Sequence, residues 1–107
     1  MTVPLAPVGR FVVSPGHPSL PGHFPGQPMV PGVLLLDETI ALILDHLPGT
    51  PVAGIVASKF VAVVLPGQVV EVACGAVAGD RLDFFCSVAG APVARGTLRL
   101  VPALETP

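Results

Sequence analysis

The stretch GHFPGQPMVPGVLLLDETIALILDHLPG, residues 22–49, decides the fold. Pro25, Pro28 and Pro31 fix φ and withhold donors, whereas Gly22, Gly26 and Gly32 open backbone conformations closed to other residues. Such alternation builds neither a regular helix nor a central strand, so residues 14–31 are expected to form a shaped loop. The competing reading is a flexible proline-rich linker. Linkers of that kind are polar and repetitive, and this segment carries Leu20, Phe24, Met29 and Val30. Pro31 suits the first turn of a helix, where its missing N–H is not needed. VLLLDETIALILDHL then carries the helix to Leu47, where Pro48-Gly49 stops it.

At roughly 100° per residue, Val33, Leu36, Ile40, Ala41, Leu44 and Leu47 share one broad apolar arc, and Glu38 and Asp45 fall on another side. Asp37 lies within the apolar arc. A carboxylate turned inward there must be hydrogen-bonded, paired or neutralised. The plainer alternative is a contribution to electrostatics near the helix N-terminus.

Four β-rich segments follow, at 52–64, 68–77, 82–89 and 92–101, separated by Pro66-Gly67, Gly79-Asp80 and Gly90-Ala91-Pro92. A further short strand is expected at 10–13. The short turns predict an antiparallel meander. In the last segment Arg95, Thr97 and Arg99 alternate with Gly96, Leu98 and Leu100, so one face covers something apolar. With one helix of consequence, the economical architecture is α+β, a curved antiparallel sheet wrapped around that helix.

Length and composition agree with one domain spanning 1–107: 51% of the residues are hydrophobic and 11% charged. A domain this small buries only about 60 to 68% of its unfolded surface. A mean hydropathy of +0.80 therefore favours an oligomer. The net charge is −2 and the five basic residues are scattered at 10, 59, 81, 95 and 99, so nucleic acid is not an expected partner. The apolar runs 33–36 and 40–44 fall well short of the ~20 residues that span a bilayer. No membrane segment is expected, and MTVPLAPVGR lacks the features of a secretory signal, which points to the cytoplasm. Cys74 and Cys86 lack metal-ligand spacing and are expected as a buried, reduced pair facing each other on neighbouring strands.

Among the histidines, His46 ends the helix, where a cation favours the dipole, and His17 has no partner suggested by spacing. His23 stands between restricted residues in Gly22-His23-Phe24-Pro25-Gly26, which can hold an imidazole in one orientation. Histidine suits proton transfer near neutrality, and an acid in an apolar setting has its pKa raised and can donate. His23 and Asp37 are therefore candidates for a base and an acid. His17, His23 and Asp37 are not expected to hold a metal, because the apolar loop offers no supporting shell. No GxSxG elbow, P-loop, GxGxxG fingerprint, HExxH helix or paired CxxC is present, and no cofactor is implied.

GHFPGQPMVPGVLLLD, residues 22–37, resembles the hallmark of the 3-hydroxyacyl-[acyl carrier protein] dehydratases of fatty acid synthesis, HFPGxPxxPGVLxxE, in which one branch ends in Asp. A weaker likeness continues through SKFVAVVLPGQ, residues 58–68. The resemblance implies the hotdog fold and an active site shared across a homodimer or higher homo-oligomer. There His23 of one subunit abstracts the C2 proton of a (3R)-3-hydroxyacyl thioester and Asp37 of the other assists departure of the hydroxyl. The implied substrate is carried on acyl carrier protein or coenzyme A, with Gly32, Val33, Phe24 and Met29 at the substrate. In this scheme the Gly32 N–H binds the thioester carbonyl and the Met29 carbonyl orients the His23 ring.

Three departures stand out. A PHRxPFLLVDRV-like N-terminal stretch is missing, as in short dehydratases of specialised polyene or lipid pathways. Asp37 replaces the commoner glutamate and is one methylene shorter. Val61 and Ala62 replace basic residues, leaving Lys59 and the arginines to meet an acidic carrier. The alternatives are a hotdog thioesterase and a non-catalytic acyl-binding subunit of a heteromer.

Overall fold

The computed structural model describes residues 5–17 and 29–101. Their elements are β1 (Ala6–Val12), α1 (Gly32–His46), β2 (Val52–Phe60), β3 (Val69–Cys74), β4 (Arg81–Val88) and β5 (Ala91–Leu100). The strands form a five-stranded antiparallel sheet in the order β1-β3-β4-β5-β2. The sheet is open, with β1 and β2 as its edges, and α1 packs on one face against β1, β2 and β3. This is the α+β hotdog arrangement expected from the sequence.

Period-2 alternation sets the layers. Val70, Val72 and Cys74 of β3, Leu82, Phe84 and Cys86 of β4, and Leu98 and Leu100 of β5 are buried toward the helix. From α1 they receive Leu35 and Ile43, each worth about 1.5–3 kcal/mol when fully buried. Between those two lies Thr39, fully buried and the one buried polar residue among those described. Its Oγ1 donates to the Leu35 carbonyl at 2.7 Å and lies 3.4 Å from Cys86 Sγ, which satisfies the hydroxyl inside the core.

Several expectations need correction. The stripe driven into the sheet is Leu35, Thr39 and Ile43, whereas Val33, Ala41 and Leu44 of the expected arc are exposed and Leu36, Ile40 and Leu47 half-buried. Because α1 is apolar on nearly every side, periodicity alone selected the wrong flank. Nor do the last four strands form one meander. β3, β4 and β5 are sequential neighbours, but β2 crosses to the far side of β5. The 61–68 connection is held elsewhere: Val30 N–H donates to Val64 O at 2.8 Å and Gly67 N–H to Val13 O at 2.8 Å. β2 stops at Phe60 because the Val61 and Ala62 N–H groups both turn to the Val93 carbonyl. The first strand is Ala6–Val12 rather than 10–13, and β3 ends at Cys74.

Cys74 and Cys86 are buried and free, but they do not face each other: Cys74 lies opposite Phe84 and Cys86 opposite Val72. Burial pushes both thiols up, and for Cys86 the hydrogen bond from Thr39 partly offsets this.

The β4–β5 turn also differs from the expected Gly90-Ala91-Pro92. Val88 already pairs with Ala91, leaving Ala89-Gly90 as a two-residue loop with φ of 50° and 83°. Positive φ at both central residues is the type I′ geometry that matches strand twist. A register shift between Cys86 and Ser87 accommodates Pro92 opposite Ser87. In that left-handed region a β-carbon costs about 1–2 kcal/mol, part of which glycine loses again to unfolded-state entropy. Ala89→Gly is therefore expected to stabilise the fold by about 0.5–1 kcal/mol, seen as a higher urea midpoint with unchanged slope. A lower midpoint would contradict this account of the turn.

Candidate active site

The helix N-terminus is built by Pro31 and Gly32. Pro31 is the N-cap, with φ −61° and ψ 144°, and its carbonyl accepts Leu35 N–H at 3.0 Å. No side chain caps the end, so the first-turn N–H groups, Gly32 among them, point out of the helix without an intrahelical acceptor. They sum with the backbone dipoles to a partial positive charge there.

Phe60 is the neighbour that sequence reading missed. It pairs with buried Ala94 and so faces the helix side of the sheet, where its ring lies against Gly32. A β-carbon built on Gly32 would sit 2.9 Å from Phe60 Cζ and 3.0 Å from Cε2. Glycine is thus required for close approach, with no unusual φ involved. The signal was present in SKF, residues 58–60, but only the crossover of β2 past β5 shows that this phenylalanine reaches the helix.

Asp37 does not point into the chain's own core. It is exposed and, among the described residues, has neither an ion pair nor a hydrogen-bond partner for its side chain. Val33, 72% exposed, lies four residues before it on the same flank, and Ala41 and Leu44 extend that flank. An inward acid was expected because its arc was apolar, but the chain's own sheet covers the opposite side.

The same region exposes Ile55, Val56 and Phe60 on the free edge strand β2 and Val61, Val63 and Leu65 just after it. A hollow of about 550 Å³ lies between the C-terminal half of α1, at Ile40 and Leu44, and the start of β2, at Pro51–Ile55. Met29 is half-buried and Val30 buried beside the helix start. His23 and Phe24 lie outside the described residues, as do most of the motif's prolines. Gly32, Val33 and Asp37 thus share the N-terminal half of one helix. The described residues include no cluster of three or more His, Cys, Asp or Glu placed to hold a metal.

The model of the ApeI-like family, described as ApeI dehydratase, matches residues 6–97. The chain belongs to the ApeI-like dehydratase family. It is also similar to the 3-hydroxyacyl-[acyl-carrier-protein] dehydratase FabZ of Chloroflexus aggregans, 42% identical over 69 residues, covering 57% of this chain and 48% of the relative. FabZ of Latilactobacillus sakei is 36% identical over 73 residues, or 61% of this chain and 52% of the relative. The chain spans about half the length of these curated relatives.

Among solved structures, a chain of the dehydratase heterocomplex ApeI:P from Xenorhabdus doucetiae superposes with a TM-score of 0.74 at 21% identity, covering 94% of this chain and 98% of that one. An uncharacterized protein from Erwinia carotovora subsp. atroseptica gives 0.75 at 27% identity over 90% and 82%. The fluoroacetyl-CoA-specific thioesterase FlK gives 0.64 at 18% identity over 94% and 88%, a likeness of fold alone.

The Phe60 contact predicts coupling between two residues 28 positions apart in sequence. Gly32→Ala should cost about 0.5–1.5 kcal/mol in the parent chain, as the half-exposed ring is displaced, and nothing in a Phe60→Ala background. Urea unfolding of the four proteins measures this. Equal losses in the two backgrounds would mean that the ring and Gly32 do not touch.

Proposed function

We propose that the protein is a hydro-lyase that converts (3R)-3-hydroxyacyl thioesters on acyl carrier protein to trans-2-enoyl thioesters in fatty acid or specialised lipid biosynthesis. The supporting observation is the placement of Asp37, the acid that closes the dehydratase motif. It sits on the open flank of α1, little more than a turn beyond the free N–H groups at Gly32 and beside an unpaired edge strand. The FabZ relatives and the ApeI-like family point to the same reaction class.

The chemistry follows from the residue types. His23 takes the C2 proton, the C2–H electron pair becomes the C2=C3 bond, and the C3–O bond breaks. Asp37 gives its proton to the departing hydroxyl, which leaves as water, and the proton on His23 returns to Asp37 through solvent. Charge that builds on the thioester oxygen during C2 deprotonation is met by the Gly32 N–H and the helix dipole. The Met29 carbonyl orients the His23 ring, while Phe24 and Val33 wall the acyl group.

The site is shared in a homodimer. β2 has an unpaired edge along Val52–Phe60, flanked by the exposed apolar side chains of α1 and the 61–65 segment. A two-fold copy pairing edge to edge covers this surface and brings each Asp37 to the other subunit's His23. No described helix is long and apolar enough to cross a membrane, and the reaction is assigned to the cytoplasm. The thioesterase alternative has no use for the His23 base, and its likeness in FlK extends to fold only. A non-catalytic subunit would turn over 3-hydroxyacyl thioesters only after a second protein is added.

His23→Ala and Asp37→Asn are each expected to lower dehydration of a 3-hydroxyacyl thioester by about 10²–10⁴-fold. Co-refolded in equal amounts, the two inactive variants should regain about a quarter of wild-type activity, because half the dimers are mixed and each mixed dimer keeps one intact site. Unchanged single-mutant rates would sink the chemistry, and failure of the mixture to recover would sink the shared site.

A further inference from the structure

On the sheet face turned away from α1, direct cross-strand partners place four of the chain's five basic residues in two rungs. Lys59, Arg95 and Phe85 are consecutive partners across β2, β5 and β4; Gly54, Arg99 and Arg81 are the partners at the other end. Ala57, Thr97 and Asp83 form the rung between. Lys59 thus stands directly opposite Arg95, and Arg99 opposite Arg81, two like-charge pairs of the kind that works against strand pairing. A sequence with so few cations has no structural reason to stack them this way.

Their acids do not neutralise them. The one salt bridge among the described residues joins Arg81 to its chain neighbour Asp80 at 3.3 Å. Asp83 is held instead by Thr97, whose hydroxyl donates to Oδ1 at 2.6 Å. Small residues open the surface between the cations: Arg99 Nη2 lies only 3.8 Å from where a β-carbon on Gly54 would be. A hollow of about 520 Å³ runs over Ala57, Phe84 and Phe85 with Lys59 and Arg95 on its wall.

We infer that this outer face is the docking surface for an acidic, amphipathic helix of the protein that carries the acyl thioester. The inference rests on the dehydratase reading for the identity of that protein. The two cationic rungs are separated by four residues of strand, about 13 Å. A single phosphate reaches one of them only, and the Asp83 carboxylate between them repels it. A helix with acids about nine residues apart reaches both and sets its apolar side over Phe85 and Ala57. The surface also lies near the chemistry. Lys59 and Phe60 are consecutive residues on opposite faces of β2, and the Phe60 ring touches Gly32 at the helix start.

Two measurements separate this inference from the reaction itself. Binding of a holo-acyl carrier protein is followed by calorimetry at low and high salt, and turnover is measured on a 3-hydroxyacyl N-acetylcysteamine thioester, which has no protein to dock. Arg95→Glu/Arg99→Glu should weaken carrier binding by about tenfold or more and flatten its salt dependence, while turnover of the small thioester stays within about twofold. If the double reversal fails to fold, Lys59→Gln/Arg95→Gln gives the same reading with a smaller effect. Carrier affinity unchanged in the variants overturns the docking surface, as does wild-type binding that ignores salt. Loss of small-thioester turnover alongside carrier binding also overturns it, since the patch would then support the fold. Absence of small-thioester turnover in the wild type overturns the dehydratase reading and leaves the binding result to stand or fall by itself.

Discussion

Leu35, Thr39 and Ile43, spaced by four, are the helix positions sealed by the sheet, and nearly everything else follows from how narrow that stripe is. A 15-residue helix with hydrophobic side chains on almost every side rests on a single open sheet, which covers one flank. The other flank keeps Val33, Ala41 and Leu44 in the open with Asp37 among them. An apolar surface of this kind on a small chain calls for a cover, and a free nine-residue edge strand lies beside it. The physics that leaves the helix half-packed also leaves its acid available. If Asp37 faced the Leu35 side it would be buried at a cost of several kcal/mol and useless to a second subunit.

Thr39 shows how the narrow stripe tolerates a polar group. Its hydroxyl returns to the carbonyl one turn earlier and touches Cys86, so a residue at the centre of the core is satisfied without water. A threonine between glutamate and isoleucine gives no warning of this, and the apolar-arc reading therefore shifted the core by about a third of a turn. That error and the one about Asp37 are the same error. Periodicity identifies which helix faces are apolar, and when nearly all are, it cannot say which one its own sheet will claim.

Other parts were legible for good local reasons. The helix start at Pro31-Gly32 and its stop before Pro48-Gly49 follow from backbone chemistry that tertiary context rarely overrides. The alternation of Arg95, Thr97 and Arg99 against Leu98 and Leu100 gave the two faces of β5 correctly. The crossover of β2 was not legible. Pro66-Gly67 looks like a hairpin turn, and only the long-range hydrogen bonds to Val30 and Val13 show that it ties the loop and the first strand together instead. Phe60 against Gly32 was hidden for the same reason, because it depends on which strand β2 pairs with.

The end of β2 is where these constraints meet. Strand alternation requires Lys59 and Phe60 to face opposite ways, so one peptide unit serves two surfaces at once: Phe60 presses on the helix start, and Lys59 joins Arg95 on the outer face. Gly96, paired with Ser58 beside them, allows this close packing, because a β-carbon there would collide with the Ala57 carbonyl and lie 2.7 Å from Phe84 Cε2. The strand cannot slip by one residue without exchanging the two roles, placing a charge against the helix dipole's positive end and an aromatic ring among cations. Register in this sheet is thus fixed by chemistry on both of its faces. The outer-face charges and the inner-face contact at Gly32 are consequences of one alignment rather than two independent features.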